Sequence, residues 1–93
     1  MSISVVLPHA LQPYSQGAST LTVDEPCETV ADALAAIGAR WPALTDRVLT
    51  EQGDLRRHVN VFVGEESIKF IDGLNTAVSD GTTITIVPAV SGG

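Results

Sequence analysis

The sequence predicts an α+β domain in which one main helix packs across one face of a mixed sheet of four to five strands. Short runs of alternating apolar and polar residues recur between residues 3 and 87, and this alternation is typical of strands with one buried face. The stretch 30–41 instead carries its apolar residues at helical spacing. An amphipathic helix needs an apolar surface to lie on, and the strands supply that surface.

The composition fits one small domain with an aliphatic core. Of 93 residues, 44% are hydrophobic and 4% aromatic, so valine, isoleucine, leucine and alanine must fill the core. The net charge of −6 repels phosphate backbones and argues against nucleic-acid binding. A single cysteine excludes an internal disulfide and agrees with a reducing cytoplasm. With no signal peptide and no apolar run of ~20 residues, we expect a cytoplasmic protein that does not enter membranes.

The N-terminal part of the chain predicts a β-hairpin followed by the main helix. Residues 3–7 and 20–23 alternate, and a polar connection at 12–19 joins them. Thr29 and Asp32 have the spacing of a capping box, with Asp in place of the usual Glu. The predicted core-facing helix residues are Val30, Leu34, Ile37 and Trp41. A proline at the next position prevents continuation of the helix.

The C-terminal half predicts three further strands. They cover residues 59–63, 68–71 and 82–87. Residues 64–67 form a predicted turn, and 43–54 is expected to contain only a short helical turn. The first and last strands are the longest apolar ones, so we expect them to be central and adjacent in the sheet.

Period-two alternation divides the strand residues between two faces of the sheet. The predicted inward set is Ile3, Val5, Leu7, Val59, Val61, Val63, Ile84 and Ile86. The outward set contains two large apolar residues, Phe62 and Val87, on a face that the helix does not cover. Because an uncovered apolar patch is a candidate docking surface, we predict that Phe62 and Val87 bind a partner.

Side chains able to carry out catalysis are scarce. His9 and His58 belong to no spaced metal motif, and we predict no metal site. Cys27 lies in an acidic turn whose carboxylates oppose thiolate formation, so we interpret it as an incidental cysteine. Arg56 and Arg57 form a basic cluster beside His58. This cluster is either a solvated loop edge or a partner-binding contact for an acidic rim.

The sequence finishes in a narrow segment that follows the last strand. Its final residues are Val90, Ser91, Gly92 and Gly93, so we predict a domain over 1–88 and a flexible tail over 89–93. Glycine has no Cβ, so this tail can enter a slot that excludes side chains. The Gly93 carboxylate is ionised at neutral pH, and it can attack the α-phosphate of ATP if another protein aligns it. The alternative is a chain end that merely frays into Gly and Ser.

Several segments together resemble the sulfur-carrier proteins of the ThiS/MoaD family. They are the stretches 59–66 and 68–70, the pairs Gly73-Leu74 and Asp80-Gly81, and the ending Pro88-Ala89-Val90-Ser91-Gly92-Gly93. Within the family, the chain is most similar to the cysteine-synthesis carriers of the CysO type. The resemblance extends along the whole chain and implies the β-grasp, ubiquitin-like fold.

The resemblance implies a protein co-substrate and not an enzyme. A MoeB/ThiF-type activating enzyme would use its own ATP to adenylate Gly93, the carrier binding no cofactor, and sulfur would then give a thiocarboxylate. In the cysteine branch the sulfur goes to an activated serine on a CysM-like cysteine synthase, and a metallopeptidase frees the cysteine. In the MoaD branch it goes to molybdopterin through the large subunit of molybdopterin synthase.

Two other functions are compatible with the sequence. A ubiquitin-like modifier would join Gly93 to lysines through isopeptide bonds. A plain interaction module would bind partners through its folded body and leave the tail inert.

Overall fold

The computed structural model of the protein describes residues 2–88, and a five-stranded sheet forms its centre. The strands are β1 (Ile3–Val6), β2 (Thr20–Val23), β3 (Val59–Val63), β4 (Glu66–Ser67) and β5 (Thr83–Pro88). Their order is β2-β1-β5-β3-β4. β1 runs parallel to β5, and the other neighbouring pairs are antiparallel. The predictions of a mixed sheet and of adjacent first and last strands are therefore confirmed.

The main helix, α1 (Val30–Arg40), lies where its spacing and capping residues predict. The side chains of Thr29 and Asp32 each accept a hydrogen bond from the other's backbone N–H, which completes the predicted capping box. The buried residues of the helix are Val30, Ala33, Leu34 and Ile37. The chain does not continue α1 past Trp41, whose backbone is not helical, and Pro42 starts a second helix, α2 (Pro42–Val48).

The second helix packs closely on the first. A Cβ added to Gly38 of α1 would lie 3.1 Å from the Oγ1 atom of Thr45 on α2, so glycine at this position permits the close approach. Leu44 and Val48 of α2 are buried in the core. Trp41, between the two helices, is half-buried and packs against the same core.

The inward face of the sheet and the apolar faces of the helices form one core. Every strand residue predicted to point inward is buried except Val63, which is half-buried at the end of β3. Leu34 of α1 is 1% exposed and belongs to the same cluster as these strand residues. The predicted packing of Leu34 and Trp41 against the core is confirmed.

The segment that follows β3 differs from the prediction. The short strand of this region is Glu66–Ser67, which pairs with the end of β3 inside the predicted turn 64–67. The strand predicted over residues 68–71 does not form, and Ile68–Phe70 is a single 3-10 turn. The Ser67 side chain accepts a hydrogen bond from the Lys69 N–H at 3.3 Å. A local side-chain bond of this kind offers the backbone an alternative to a sheet ladder.

The connection between β1 and β2 also contains structure that the sequence analysis missed. His9–Ser15 forms a 3-10 segment, which overlaps the predicted connection 12–19. The buried Ser15 hydroxyl lies 3.1 Å from the carbonyl oxygen of Gln12 and 2.9 Å from that of Ala18. These contacts stabilise the segment internally. The segment lies against α2 and helps to form the edge described next.

Candidate functional site at the end of the central strand

The candidate site begins where β5 ends. β5 lies between β1 and β3 and pairs with both, so its position is held from two sides. Its last residue, Pro88, is opposite Val59, the first residue of β3. The predicted tail-threading and reactive residues are Val90, Ser91, Gly92 and Gly93. They lie outside the described residues, and the domain boundary after residue 88 stays a prediction.

The predicted docking residues Phe62 and Val87 lie on the outward face of the sheet. Phe62 pairs with Thr85 and Val87 pairs with Asn60, so the two apolar side chains are diagonal neighbours on adjacent strands. Both are half-buried, and neither helix packs on this face. Their partial exposure leaves them available to a partner, and their partner-binding role stays a prediction.

The sequence analysis missed Phe70, which extends this surface. Phe70 is 86% exposed, whereas Ile68 is 1% exposed. A strand would have placed these two residues on the same face, but a 3-10 turn has three residues per turn and separates them. Phe70 lines a shallow concavity together with Phe62 and Asn60. The signal that could have found it is Ser67, because serine favours local turns over ladder pairing.

The basic cluster at residues 56–58 lies just before β3, next to the end of β5. Arg56 is half-buried, and its Nε donates to the backbone carbonyl of Asp46 at 2.8 Å while its N–H donates to that of Val48 at 2.9 Å. Arg56 therefore joins the loop before β3 to the end of α2. Arg57 and His58 are exposed. The structure brings Arg56 and His58 to the same groove beside Pro88.

This groove, of about 570 Å³, is walled by the 3-10 segment, α2 and the paired ends of β3 and β5. Its apolar lining includes Leu11, Tyr14 and Pro88, and its charged lining includes Arg47 and Arg56. The guanidinium of Arg47 lies over the ring of Tyr14, 4.8 Å from the ring centroid. This cation–π contact orients the Arg47 side chain across one wall of the groove.

Cys27 lies away from this edge. It follows β2, whose last residue Val23 pairs with Ile3 at the end of the sheet where β5 begins. The thiol is buried, and its Sγ donates to the backbone carbonyl of Glu25 at 3.4 Å. Burial raises the pKa of the Cys27 thiol, and the carboxylates of Asp32 and Glu25 raise it further. These observations support the interpretation of Cys27 as an incidental cysteine with no part in sulfur transfer.

The described part of the chain, residues 2–88, was compared with the requirements of a metal cluster and of a membrane-spanning helix. His9 is exposed on the 3-10 segment, and no cluster of three or more histidine, cysteine, aspartate or glutamate residues in this part could hold a metal ion. No helix within it has the length and apolar character needed to cross a membrane.

The mixed sheet with α1 across one face is the ubiquitin-like β-grasp fold. The crystal structure of SAMP1, the small archaeal modifier protein 1 of Haloferax volcanii, has this arrangement. It superposes on the chain with a TM-score of 0.81 and 34% identity, covering 100% of both chains.

The chain belongs to the ThiS family, whose model matches residues 5–93. The sulfur carrier protein CysO of Mycobacterium tuberculosis is 32% identical over 95 residues, covering 100% of both sequences. A chain in the crystal structure of the Amycolatopsis orientalis BexX/CysO complex is 33% identical with a TM-score of 0.84, covering 98% of this chain and 99% of that one. The resemblance to ThiS/MoaD carriers, and to the CysO type among them, is confirmed.

Proposed function

We propose that the protein carries sulfur as a thiocarboxylate on Gly93 and donates it for cysteine biosynthesis. The observation that supports this most is the central place of β5, because the strand that leads to Gly93 is held by neighbours on both sides. When an enzyme binds the sheet face, the start of the tail therefore has a fixed position relative to that enzyme. Five residues follow Pro88, a reach of at most about 18 Å. The naming of relatives as sulfur carriers supports the same role.

The proposed chemistry needs a second protein, because a carboxylate is a weak nucleophile. A MoeB/ThiF-type enzyme holds ATP so that one oxygen of Gly93 attacks the α-phosphorus and pyrophosphate leaves. Sulfide (HS⁻) then attacks the carbonyl carbon of the acyl adenylate, AMP leaves with the oxygen of the broken C–O bond, and the new thioacid loses its proton. The thiocarboxylate remains on the carrier. In this scheme the protein is a co-substrate that binds no cofactor, and ATP belongs to its partner.

The proposed destination of the sulfur is an activated serine on a CysM-like cysteine synthase. A metallopeptidase then releases cysteine from the carrier. The relatives named CysO favour this branch over delivery to molybdopterin through a molybdopterin synthase large subunit. Delivery to the molybdopterin branch or to another sulfur-transfer pathway is the alternative destination for the same thiocarboxylate.

The proposed docking surface combines Phe62 and Val87 with the exposed Phe70. The diagonal placement of Phe62 and Val87 supports it, because one partner surface can cover both side chains. Arg56 and Arg57, at the edge near Pro88, are proposed partner-binding residues for carboxylates on the partner's rim.

A ubiquitin-like modifier is the second candidate function. The similarity to SAMP1 favours it, and both functions share the adenylation of Gly93. Mass spectrometry of the protein purified from its native host separates them. A carrier shows the mass gain of one oxygen replaced by sulfur at Gly93, whereas a modifier shows conjugates to lysines of other proteins. If neither signal is found, the protein is a plain interaction module and the proposal is overturned.

A further inference from the structure

Acidic side chains are numerous at one end of the sheet, and three arginines lie at the other end. Acidic residues gather where β5 begins: Asp24, Glu25 and Glu28 follow β2, and Asp80 precedes β5 and accepts a hydrogen bond from the Ser2 N–H. The end where β5 finishes carries Arg47, Arg56 and Arg57, three of the five lysine and arginine residues in a chain of net charge −6. Asp46, Glu51 and Asp54 lie near the same end, so an excess of positive charge is found only within the lining of the groove beside Pro88.

Two of these cations are held in place inside the groove beside Pro88. The Arg47 guanidinium lies over the Tyr14 ring on an exposed side chain, so its N–H groups can reach a ligand in the groove. Arg56 donates through Nε to the Asp46 carbonyl, so its terminal Nη atoms remain as donors beyond that bond. Side chains that are already ordered lose less conformational entropy when they bind a carboxylate.

The groove also has an apolar part and one negative group. Leu11, Pro88 and the Tyr14 ring line it beside the two arginines. The Asp46 side chain lines it too, so the groove carries two guanidinium groups against one carboxylate. A ligand that satisfies this lining presents an acidic side chain next to an apolar one. The volume, about 570 Å³, accommodates a few side chains and not a whole domain.

We propose that this groove is a second docking site, which binds an acidic and apolar segment of the enzyme that adenylates Gly93. The proposal rests on the proposed carrier function. It adds a surface formed by the 3-10 segment and α2, which adjoins the sheet face of Phe62 at Val87, a residue that also lines the groove. With both surfaces bound, the enzyme would hold the base of the tail from two sides of Pro88 and so fix the direction in which the tail leaves.

The test measures binding of the protein to the MoeB/ThiF-type enzyme from the same organism by isothermal titration calorimetry. The wild type is first checked for adenylation of Gly93 by ATP–pyrophosphate exchange. Arg47→Gln is then compared with Gln52→Glu. Each substitution lowers the net charge by one, but Gln52 is exposed in the turn after α2 and does not line the groove. Arg56→Gln provides a second groove variant, with thermal unfolding measured to correct for the lost bond to Asp46.

We expect Arg47→Gln to weaken binding about tenfold or more and to flatten its salt dependence, because a charge-assisted contact has been removed. Gln52→Glu should bind nearly as well as the wild type. Hydrogen–deuterium exchange should show that the enzyme protects residues 9–15 and 42–48. Equal affinities for Arg47→Gln and Gln52→Glu, or no protection of these two segments, would overturn the groove proposal while leaving the carrier function intact.

Three further outcomes have defined meanings. An affinity loss in Arg47→Gln with an unchanged salt dependence would show a packing contact and would overturn the acidic character assigned to the partner segment. If ATP alone binds the wild type and this binding is lost in Arg47→Gln, the groove is a nucleotide site instead. Failure of the wild type to be adenylated would remove the carrier function, and the groove proposal would fall with it.

Discussion

Thr29 and Asp32 hold the start of α1 through reciprocal hydrogen bonds. The Thr29 Oγ1 accepts from the Asp32 N–H at 3.2 Å, and the Asp32 Oδ2 accepts from the Thr29 N–H at 3.2 Å and from the Glu28 N–H at 2.9 Å. Three backbone donors at the helix entrance are thereby satisfied. The carboxylate also lies where the helix dipole favours negative charge.

The loss of this cap should destabilise the fold by a measurable amount. Thr29→Ala removes the hydroxyl acceptor and should lower the free energy of unfolding by about 0.5–2 kcal/mol. Thr29→Ser keeps the acceptor and should remain close to the wild type. Urea unfolding followed by circular dichroism measures both variants. Equal destabilisation by alanine and serine would show that the Thr29 methyl group, and not its hydroxyl, matters.

Truncation of Leu34 tests the packing of α1 on the sheet. Leu34 is 1% exposed within the core, so Leu34→Ala should lower the free energy of unfolding by about 2–5 kcal/mol. Leu55→Ala is a matched control at a half-buried position on the margin of the core, and it should cost clearly less. An unchanged urea midpoint in Leu34→Ala would contradict the placement of the helix.

The raised pKa of the Cys27 thiol predicts how the free energy of unfolding depends on pH. Because burial raises the pKa of the Cys27 thiol, the folded state holds this proton more tightly than the unfolded state does. The resulting stabilisation is complete below the unfolded thiol pKa of about 8.5 and is lost as the pH rises towards the higher folded pKa. The free energy of unfolding should therefore fall more steeply above about pH 8.5 in the wild type than in Cys27→Ala. Parallel curves for the two proteins would contradict the raised pKa.

The same residue should be dispensable for the carrier function. Cys27 lies at the end of the sheet opposite Pro88, so Cys27→Ser should still accept sulfur at Gly93. Mass spectrometry of the variant detects the thiocarboxylate. Its loss in a variant that still folds would show that Cys27 takes part in sulfur relay.

The docking role of the outward face of the sheet can be tested by introducing one negative charge. Phe62→Asp places a carboxylate in the proposed docking surface and should weaken binding to the activating enzyme while leaving the fold intact. Thr20→Asp makes the same charge on β2, three strands away in the sheet order, and should change the affinity little. Calorimetry compares the two variants. Unaltered affinity in Phe62→Asp would show that the docking surface lies elsewhere.

The role of the terminal glycines can be tested by changing the length of the tail and by adding a side chain to it. Deletion of Gly93 withdraws the terminal carboxylate by about 3.3 Å. The reacting atoms must approach within ~3–3.5 Å of each other, so the shortened tail no longer brings its carboxylate to the α-phosphorus of ATP. Gly92→Val keeps the length but adds a branched side chain that restricts φ and ψ. Both variants should unfold like the wild type and should fail in ATP–pyrophosphate exchange with the activating enzyme. Normal exchange by the Gly93 deletion would exclude this terminus as the reactive group.

The elements that the sequence predicts are those whose periodic pattern spans several residues. β1, β3, β5 and α1 each show such a pattern, and each forms close to its predicted bounds. β4 has two residues, too few to carry any period, and it exists because the end of β3 offers it a ladder. The 3-10 turn after it depends on a single serine contact, so alternation alone assigned Ile68 and Phe70 wrongly to one strand.

The same distinction applies to the candidate site. Phe62 and Val87 follow from alternation within two strands, and their shared outward face was therefore predictable. The groove was not, because Tyr14, Arg47, Arg56 and Pro88 come from four separate parts of the chain and meet only when the sheet closes. Pairs such as Arg47 and Tyr14 have no sequence spacing that indicates their contact.

The pairing of β1 with β5 has a consequence for protein synthesis. Ser4 and Thr83 are register partners, so the middle of the sheet cannot form until nearly the whole described chain has been made. A nascent or cleaved chain that stops before Thr83 leaves β1 and β3 without the strand between them, and contacts between such distant residues form slowly. A molecule truncated before Thr83 therefore lacks the complete outward face, and a partner that recognises this face should not bind it.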